Sequence, residues 1–229
     1  MLGLIALVSY VAQAYGLEFI SSNRSAFLTS LNVLMVPLLG MFWGVRPTWL
    51  VMASAVVACT GIGLMSWEGG SHLLADAATV IAALAYALYV IVLSQRTARH
   101  ASRTLAATQV LWMALWGGLW MLVDAWGTDK LASLATRMDG PIVAGLLYLG
   151  VVATAGMLFL QAVAQRFVSA DKAAVIYAME PVFAALFAWA WLSEVLSVQA
   201  AIGGAMVVCA VILSEYRPAA PNQPAPAAS

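Results

Sequence analysis

The sequence predicts an all-α membrane protein: a polytopic bundle of about eight transmembrane helices containing inverted structural repeats. Three observations lead there. Of the 229 residues, 64% are hydrophobic and only 9% charged, whereas a soluble domain charges roughly a quarter of its residues. The apolar residues gather into runs close to the roughly 20 residues that cross a hydrocarbon core, so the chain has room for at most about eight to ten spans and no separate soluble domain. The chain also matches itself when shifted by about 148 positions, the sign of an internal repeat.

The apolar runs are Leu2–Leu17, Ser25–Trp43, Trp49–Trp67, Leu74–Gln95, Leu105–Val123, Ile142–Ala164, Lys172–Trp191 and Val198–Ser214. Met1 leads straight into the first without a basic region or a small-residue cleavage site, so that run reads as a span rather than a signal peptide. Ser22-Asn23, Asp139-Gly140-Pro141 and Ser169-Ala170-Asp171 supply capping or proline chemistry ahead of the second, sixth and seventh spans. Trp43, Trp49, Trp67, Trp126 and Trp191 lie near run ends, where amphipathic rings settle at headgroup depth. Trp126–Met138 places Leu131, Leu134 and Met138 at helical spacing and predicts a short surface helix. The Pro/Ala-rich stretch 217–229 predicts a disordered tail.

Charge sets the orientation. Alternate spans put Arg46, Arg96, Arg99, Arg103, Arg166, Lys172 and Arg217 on one side. The other side receives Arg24, Lys130 and Arg137 among the acids Glu18, Glu68, Asp76, Asp124, Asp129, Asp139 and Glu194. The positive-inside rule predicts an inner-membrane, multi-pass protein with both termini cytoplasmic. The chain is formally neutral and has no basic block, which argues against nucleic acid as a partner. Cys59 and Cys209 fall inside apolar runs and read as packing residues.

The self-match lays the first three spans on the last three without a gap. Gln13 falls on Gln161, Ser21 on Ser169, Ala26 on Ala174 and Leu38 on Leu186. Asn32 falls on Glu180 and Arg46 on Glu194. Because the first span leaves the cytoplasm and the sixth returns to it, the copies are inverted, an arrangement that supports alternating access around a site at the repeat interface.

Glu180 is the one ionisable side chain near the middle of a span, where a charge costs at least about 2.5 kcal/mol on insertion scales. A carboxyl there can carry a proton or a cationic group, or it can serve structure by donating to a carbonyl freed by Pro181. Asn32 holds the mirror position on a helix that also contains Pro37, and it suits either cavity hydrogen bonding or helix association. Pro37 and Pro181 predict helix kinks. Gln13, Gln161, Tyr10, Tyr15, Tyr148, Tyr177, Thr29 and Thr154 are further polar groups that can converge on an organic solute. Trp112, Trp116 and Trp120 form a stripe better suited to lipid or helix packing than to a ligand. Ala55, Cys59 and Gly63, with Ala201, Ala205 and Cys209, offer small-residue faces for internal or homodimer packing.

Three passages carry a family resemblance: Ala14-Tyr15-Gly16-Leu17-Glu18-Phe19-Ile20-Ser21 running into Ala26–Val33 and Val36-Pro37-Leu38; Ala178-Met179-Glu180-Pro181-Val182-Phe183-Ala184-Ala185; and Trp191-Leu192-Ser193-Glu194 before Gly203-Gly204. In this order they resemble the EamA-type family of the drug/metabolite transporter superfamily. The resemblance implies ten helices in two inverted five-helix repeats around a central substrate cavity. Matched to that plan, residues 1–67 are an incomplete first repeat of three helices and residues 74–216 a complete second repeat, with the family's first two helices lacking. It implies secondary transport of small organic metabolites or amphipathic compounds, without a cofactor, with Glu180, Asn32, Gln13, Gln161, Tyr177, Tyr148 and Thr29 as candidate substrate or coupling residues. An inactive fragment or partner subunit is the alternative. An intramembrane enzyme is remote, because His-Glu-x-x-His and Gly-x-Ser-x-Gly motifs are absent and His72 and His100 lie in loops.

Overall fold

In the computed structural model, the described residues are 1–66, 72–127, 133, 138–192 and 197–215. They are helical almost throughout: α1 (Leu2–Leu17), α2 (Ser22–Ser30), α3 (Asn32–Phe42), α4 (Trp49–Ser66), α5 (Leu73–Thr97), α6 (Ser102–Ala125), α7 (Gly140–Leu147), a π-helical stretch Tyr148–Gly156, α8 (Met157–Ala164), α9 (Ala170–Tyr177), α10 (Glu180–Leu192) and α11 (Val198–Glu215). The pieces join into eight rods, since α2 continues into α3, α7 into α8 through the π-helical stretch, and α9 into α10. The result is a polytopic membrane bundle. Four rods are long and apolar enough to cross a membrane: Arg24–Phe42, Leu73–Thr97, Ser102–Ala125 and Gly140–Ala164. The 16-residue α1 spans about 24 Å, somewhat short of the roughly 30 Å core, a mismatch that local thinning or flanking residues absorb.

Local chemistry sets the ends. Ser21 rather than Ser22 caps α2, its hydroxyl accepting from the Arg24 N–H at 3.2 Å. Asp139 caps α7 by accepting from the Ile142 N–H at 2.9 Å, and Pro141 fits the first turn because its missing N–H would have no helical partner. Ser169 precedes α9 in extended geometry without a side-chain cap. After α3, Gly44 turns left-handed (φ 78°) and the Val45 N–H bonds back to the Gly40 carbonyl. Pro47 then bars helical continuation. Residues 128–132 and 134–137 of the predicted surface helix, the tail 217–229, Trp67, Glu68, Ser193, Glu194 and the side chain of Trp191 lie outside the described residues.

Helix α5 is the hub. Ala75, Ala82, Ala83, Ala85 and Ala87 are buried along it and let neighbours approach closely. Helix α1 runs antiparallel to it, with Gly16 against Ala75 and Thr79 and the Ser9 hydroxyl donating to the Ala82 carbonyl at 3.0 Å. A second core joins α3, α4, α9 and α11 through Val33, Ala58, Ile62, Val175, Val207 and Ala210. There α4 and α11 cross antiparallel: Gly61 lies against Gly203, and the Gln199 amide donates to the Leu64 carbonyl at 2.8 Å. The face of α11 that packs is Gly203, Val207 and Ala210, whereas Ala201, Ala205 and Cys209 are exposed. On α4, Ala55 and Cys59 are buried in the internal packing, while on α11 the two adjacent glycines bring the opposite side closest and leave the Ala201, Ala205 and Cys209 face outward.

Polar side chains join the later helices. The Tyr89 hydroxyl donates to Gln109 at 3.1 Å, and the Ser102 hydroxyl donates to the Ala162 carbonyl at 2.9 Å. The Gln165 amide donates to the Val90 carbonyl at 3.3 Å. Such bonds hold helices together where lipid removes the hydrophobic drive for their association. The Gly140–Ala164 rod and α6 are mostly exposed, as lipid-facing rods are. Trp112, Trp116 and Trp120 are exposed on α6, in keeping with a lipid-facing stripe.

Candidate functional site

Two rods are interrupted at matching positions. The second breaks at Leu31, between Ser30 and Asn32, and the seventh at Ala178-Met179, between Tyr177 and Glu180. At the first break, Thr29 donates to the Ser25 and Ala26 carbonyls at 2.8 and 3.1 Å, and Ser30 donates to the Phe27 carbonyl at 2.6 Å. Hydroxyls returning to the preceding turn compete with helical hydrogen bonds and bend the helix. At the second break, Pro181 has no N–H and its ring would crowd the Tyr177 carbonyl in a continuous helix, so α10 starts afresh with the proline in its first turn. Pro37 behaves otherwise: it is buried inside α3, which continues through it.

Both breaks border a cavity of about 390 Å³. It is lined by Gln13 from α1, Thr29 and Asn32 around the first break, Gln161 from α8, and Tyr177 and Glu180 around the second. Six of the seven candidate binding residues therefore meet in one space. Tyr148 does not: it is 61% exposed at the start of the π-helical stretch. Of the further polar candidates, Tyr10 lines the cavity and Tyr15 and Thr154 do not. Several lining positions pair at the 148-residue spacing: Gln13 with Gln161, Thr29 with Tyr177, Asn32 with Glu180, and Val33 with Pro181.

The cavity also contains residues that the sequence reading did not select. Tyr86 projects from α5, accepts a hydrogen bond from the Gln161 amide, and stands with its ring centroid 6.4 Å from that of Tyr177. A tyrosine amid Ala82, Ala83, Ala85 and Ala87 was the available signal, because little else on that turn can reach a ligand. Ser9, Ser22, Ser25 and Ser30 add small polar groups, which sequence alone does not separate from packing serines. Several polar atoms at the cavity have no protein partner among the described residues: the Ser25 hydroxyl, the Gln161 carbonyl oxygen and the Tyr177 hydroxyl are all sealed from solvent and unsatisfied. Glu180 is exposed at the cavity, with no hydrogen bond or ion pair to a described residue. Asn32 makes no hydrogen bond to another helix among the described residues. Glu180 and Asn32, accessible at the cavity and without a side-chain partner among the described residues, favour a polar guest.

Near the cavity, Arg24 and Asp76 form a bidentate ion pair, with both bonds 2.7 Å, between the first turns of α2 and α5. Its side chains are 20% and 22% exposed. No group of three or more His, Cys, Asp or Glu suited to a metal occurs among the described residues.

A helical membrane bundle whose interrupted rods border a cavity lined by several polar side chains has the form of a solute carrier. The chain belongs to the EamA-like transporter family, which matches residues 73–216. It is 24% identical over 225 residues to an uncharacterized transporter of Archaeoglobus fulgidus, across 94% of this chain and 68% of that protein. It is 28% identical over 207 residues to a probable terminal-alkyne amino-acid exporter of Streptantibioticus cattleyicolor, across 86% of this chain and 65% of the relative. The chain thus spans about two thirds of the length of each. One solved crystal structure aligns with a TM-score of 0.75 and 16% identity over 93% of this chain and 74% of the other, a likeness of fold alone. The protein is a membrane transporter by family, and that family is not one of enzymes.

Proposed function

We propose that the chain moves a small organic solute across the cytoplasmic membrane by alternating access of two inverted halves, residues 1–67 and 74–216, with the cavity as the substrate site. The observation that carries the reading is the pairing of cavity residues at the 148-residue spacing, Asn32 with Glu180 and Gln13 with Gln161, at two matching helix breaks. The antiparallel crossing of α4 and α11 supports it, because inverted copies of one helix must run in opposite directions. Positive charge supports cytoplasmic termini: Arg46, Arg96, Arg99, Arg103 and Arg166 fall on the side where α1 begins. The name of the Streptantibioticus relative favours solutes of amino-acid size.

In this reading Glu180 is the coupling group, taking up a proton or a cationic group on one side of the membrane and releasing it on the other. Tyr10, Tyr86 and Tyr177 are the titratable side chains that share its cavity. The test is solute flux into proteoliposomes with and without an imposed pH gradient, for this chain and for Glu180→Gln. Gradient-driven flux that disappears in the variant, while the variant still inserts in the membrane, is expected. Gradient dependence unchanged by Glu180→Gln would remove the carboxyl from coupling, and absence of flux for every amino acid and amine offered would count against transport by this chain alone.

A further inference from the structure

Among the described residues, the cavity joins one carboxylate to three aromatic side chains and no cationic one. Glu180 follows the break in the seventh rod, and Tyr177 stands three residues before it. Tyr86 enters from α5 and Tyr10 from α1. The rings of Tyr86 and Tyr177 are inclined at 57° with centroids 6.4 Å apart, so they are not stacked flat and each can turn a face to a third group. Tyr10 and Tyr86 both lie within electrostatic reach of Glu180. No Lys, Arg or His is among the described residues lining the cavity.

That combination discriminates by charge. An ionised carboxylate open to the cavity gains most from a positive partner, and no described side chain supplies one. Aromatic faces carry negative electrostatic potential and attract an ammonium further, most strongly where water is excluded. An anionic guest would meet Glu180 with no neutralising group. A neutral guest would leave the carboxylate unpaired. At about 390 Å³ the space lies at the small end of the roughly 300–1,000 Å³ typical of small-molecule sites, so the guest is compact.

We propose that the cavity binds an organic cation bearing a protonated amine, its ammonium seated between Glu180 and the rings of Tyr10, Tyr86 and Tyr177, and its remainder against Gln13, Asn32 and Gln161. The inference rests on the transport reading of the same cavity, and it is tested by binding so that the two can fail separately. The probes are phenethylamine, its neutral analogue 2-phenylethanol, and anionic 3-phenylpropanoate. Each is titrated calorimetrically into the full chain in nanodiscs, and flux of each is measured in proteoliposomes.

The amine is expected to bind at least about tenfold more tightly than the alcohol, with the anion weakest. Glu180→Gln should reduce the preference for amine over alcohol to less than about threefold, and Glu180→Asp should retain most of it. The comparison of analogues in the unsubstituted chain needs no variant, so poor folding of Glu180→Gln leaves the test intact. Equal binding of amine and alcohol, stronger binding of the anion, or no binding of any probe would overturn the assignment, and flux of another solute would still uphold transport. Amine binding with the expected preference but without flux would uphold the site and count against the transport reading.

Discussion

Replacing Gly61 by alanine probes a close helix crossing, that of α4 and α11. A Cβ built at Gly61 would lie 2.6 Å from the Gly203 carbonyl oxygen, 3.0 Å from Cβ of Met206 and 3.1 Å from Cγ2 of Val207. The first contact is about 0.8 Å short of the 3.4 Å where ordinary contact begins, and it is with backbone that no rotamer change can move. Helices α4 and α11 must therefore separate by most of that distance. A gap of 0.5–1 Å forfeits roughly a quarter to a half of the dispersion energy of each contact along the seam. The overall cost falls in the range of about 1–3 kcal/mol usual for overpacking. At about 2–4 °C per kcal/mol for a chain of this size, the midpoint of thermal unfolding in detergent should fall by roughly 2–12 °C. Gly118→Ala is the control: nothing lies within 4 Å of its added Cβ, so it should gain up to about 1 kcal/mol of helix propensity. Gly203→Ala closes the same gap from the other side, so the double variant should cost less than the two single costs combined, because one separation accommodates both methyl groups. A Gly61→Ala protein that unfolds no earlier than the Gly118→Ala control would refute this account of the crossing.

Other perturbations follow from the same geometry. Exchanging the partners as Arg24→Asp with Asp76→Arg should restore most of what either single reversal loses. A double-mutant cycle should give a coupling of about 0.2–1 kcal/mol that weakens with salt, because the pair is partly exposed. Gln161→Met keeps the volume but removes the donor to the Tyr86 hydroxyl, and should lower stability by about 1–3 kcal/mol in thermal unfolding. Tyr148→Ala should leave solute flux within about twofold of the parent chain, since the residue is exposed away from the cavity. A large loss there would mean that the π-helical stretch approaches the substrate in another state.

Much of the fold was legible because hydrocarbon thickness imposes one length on every span and leaves few alternatives to a helix. The starts of α4 and α11 and both ends of α1 fall where apolar runs meet charges or turn residues. The break at Leu31 was not legible. Leucine is a good helix former, and the bend comes from the Thr29 and Ser30 hydroxyls choosing carbonyls of the preceding turn. Pro37 carried the visible signal on that rod, yet α3 runs through it. The π-helical stretch was equally hidden, since an i→i+5 pattern leaves no distinct apolar period over nine residues.

The residues of the cavity were more legible than the packing around it, and the self-match at 148 positions is the reason. A pair such as Asn32 and Glu180 acquires meaning from its counterpart, because a symmetric bundle that brings one member to a central space brings the other there too. Tyr86 has no counterpart in the first three spans, so the self-match could not find it. Its role emerges only from the hydrogen bond with Gln161 and the inclined ring of Tyr177. Tyr148 stands apart from the cavity for the complementary reason: Ala153, Met157 and Gln161 follow one another every fourth residue along the face that meets the cavity, and Tyr148 lies outside that series. The self-match thus pointed to residues that line the cavity, the Glu180 carboxyl among them, while one of the three rings around it, Tyr86, comes from a helix outside the match. That division has a physical consequence. Under the proposed alternating access, substitutions at paired positions should disturb both faces of the cavity, whereas changes at Tyr86 should alter which solute binds while leaving the alternation intact.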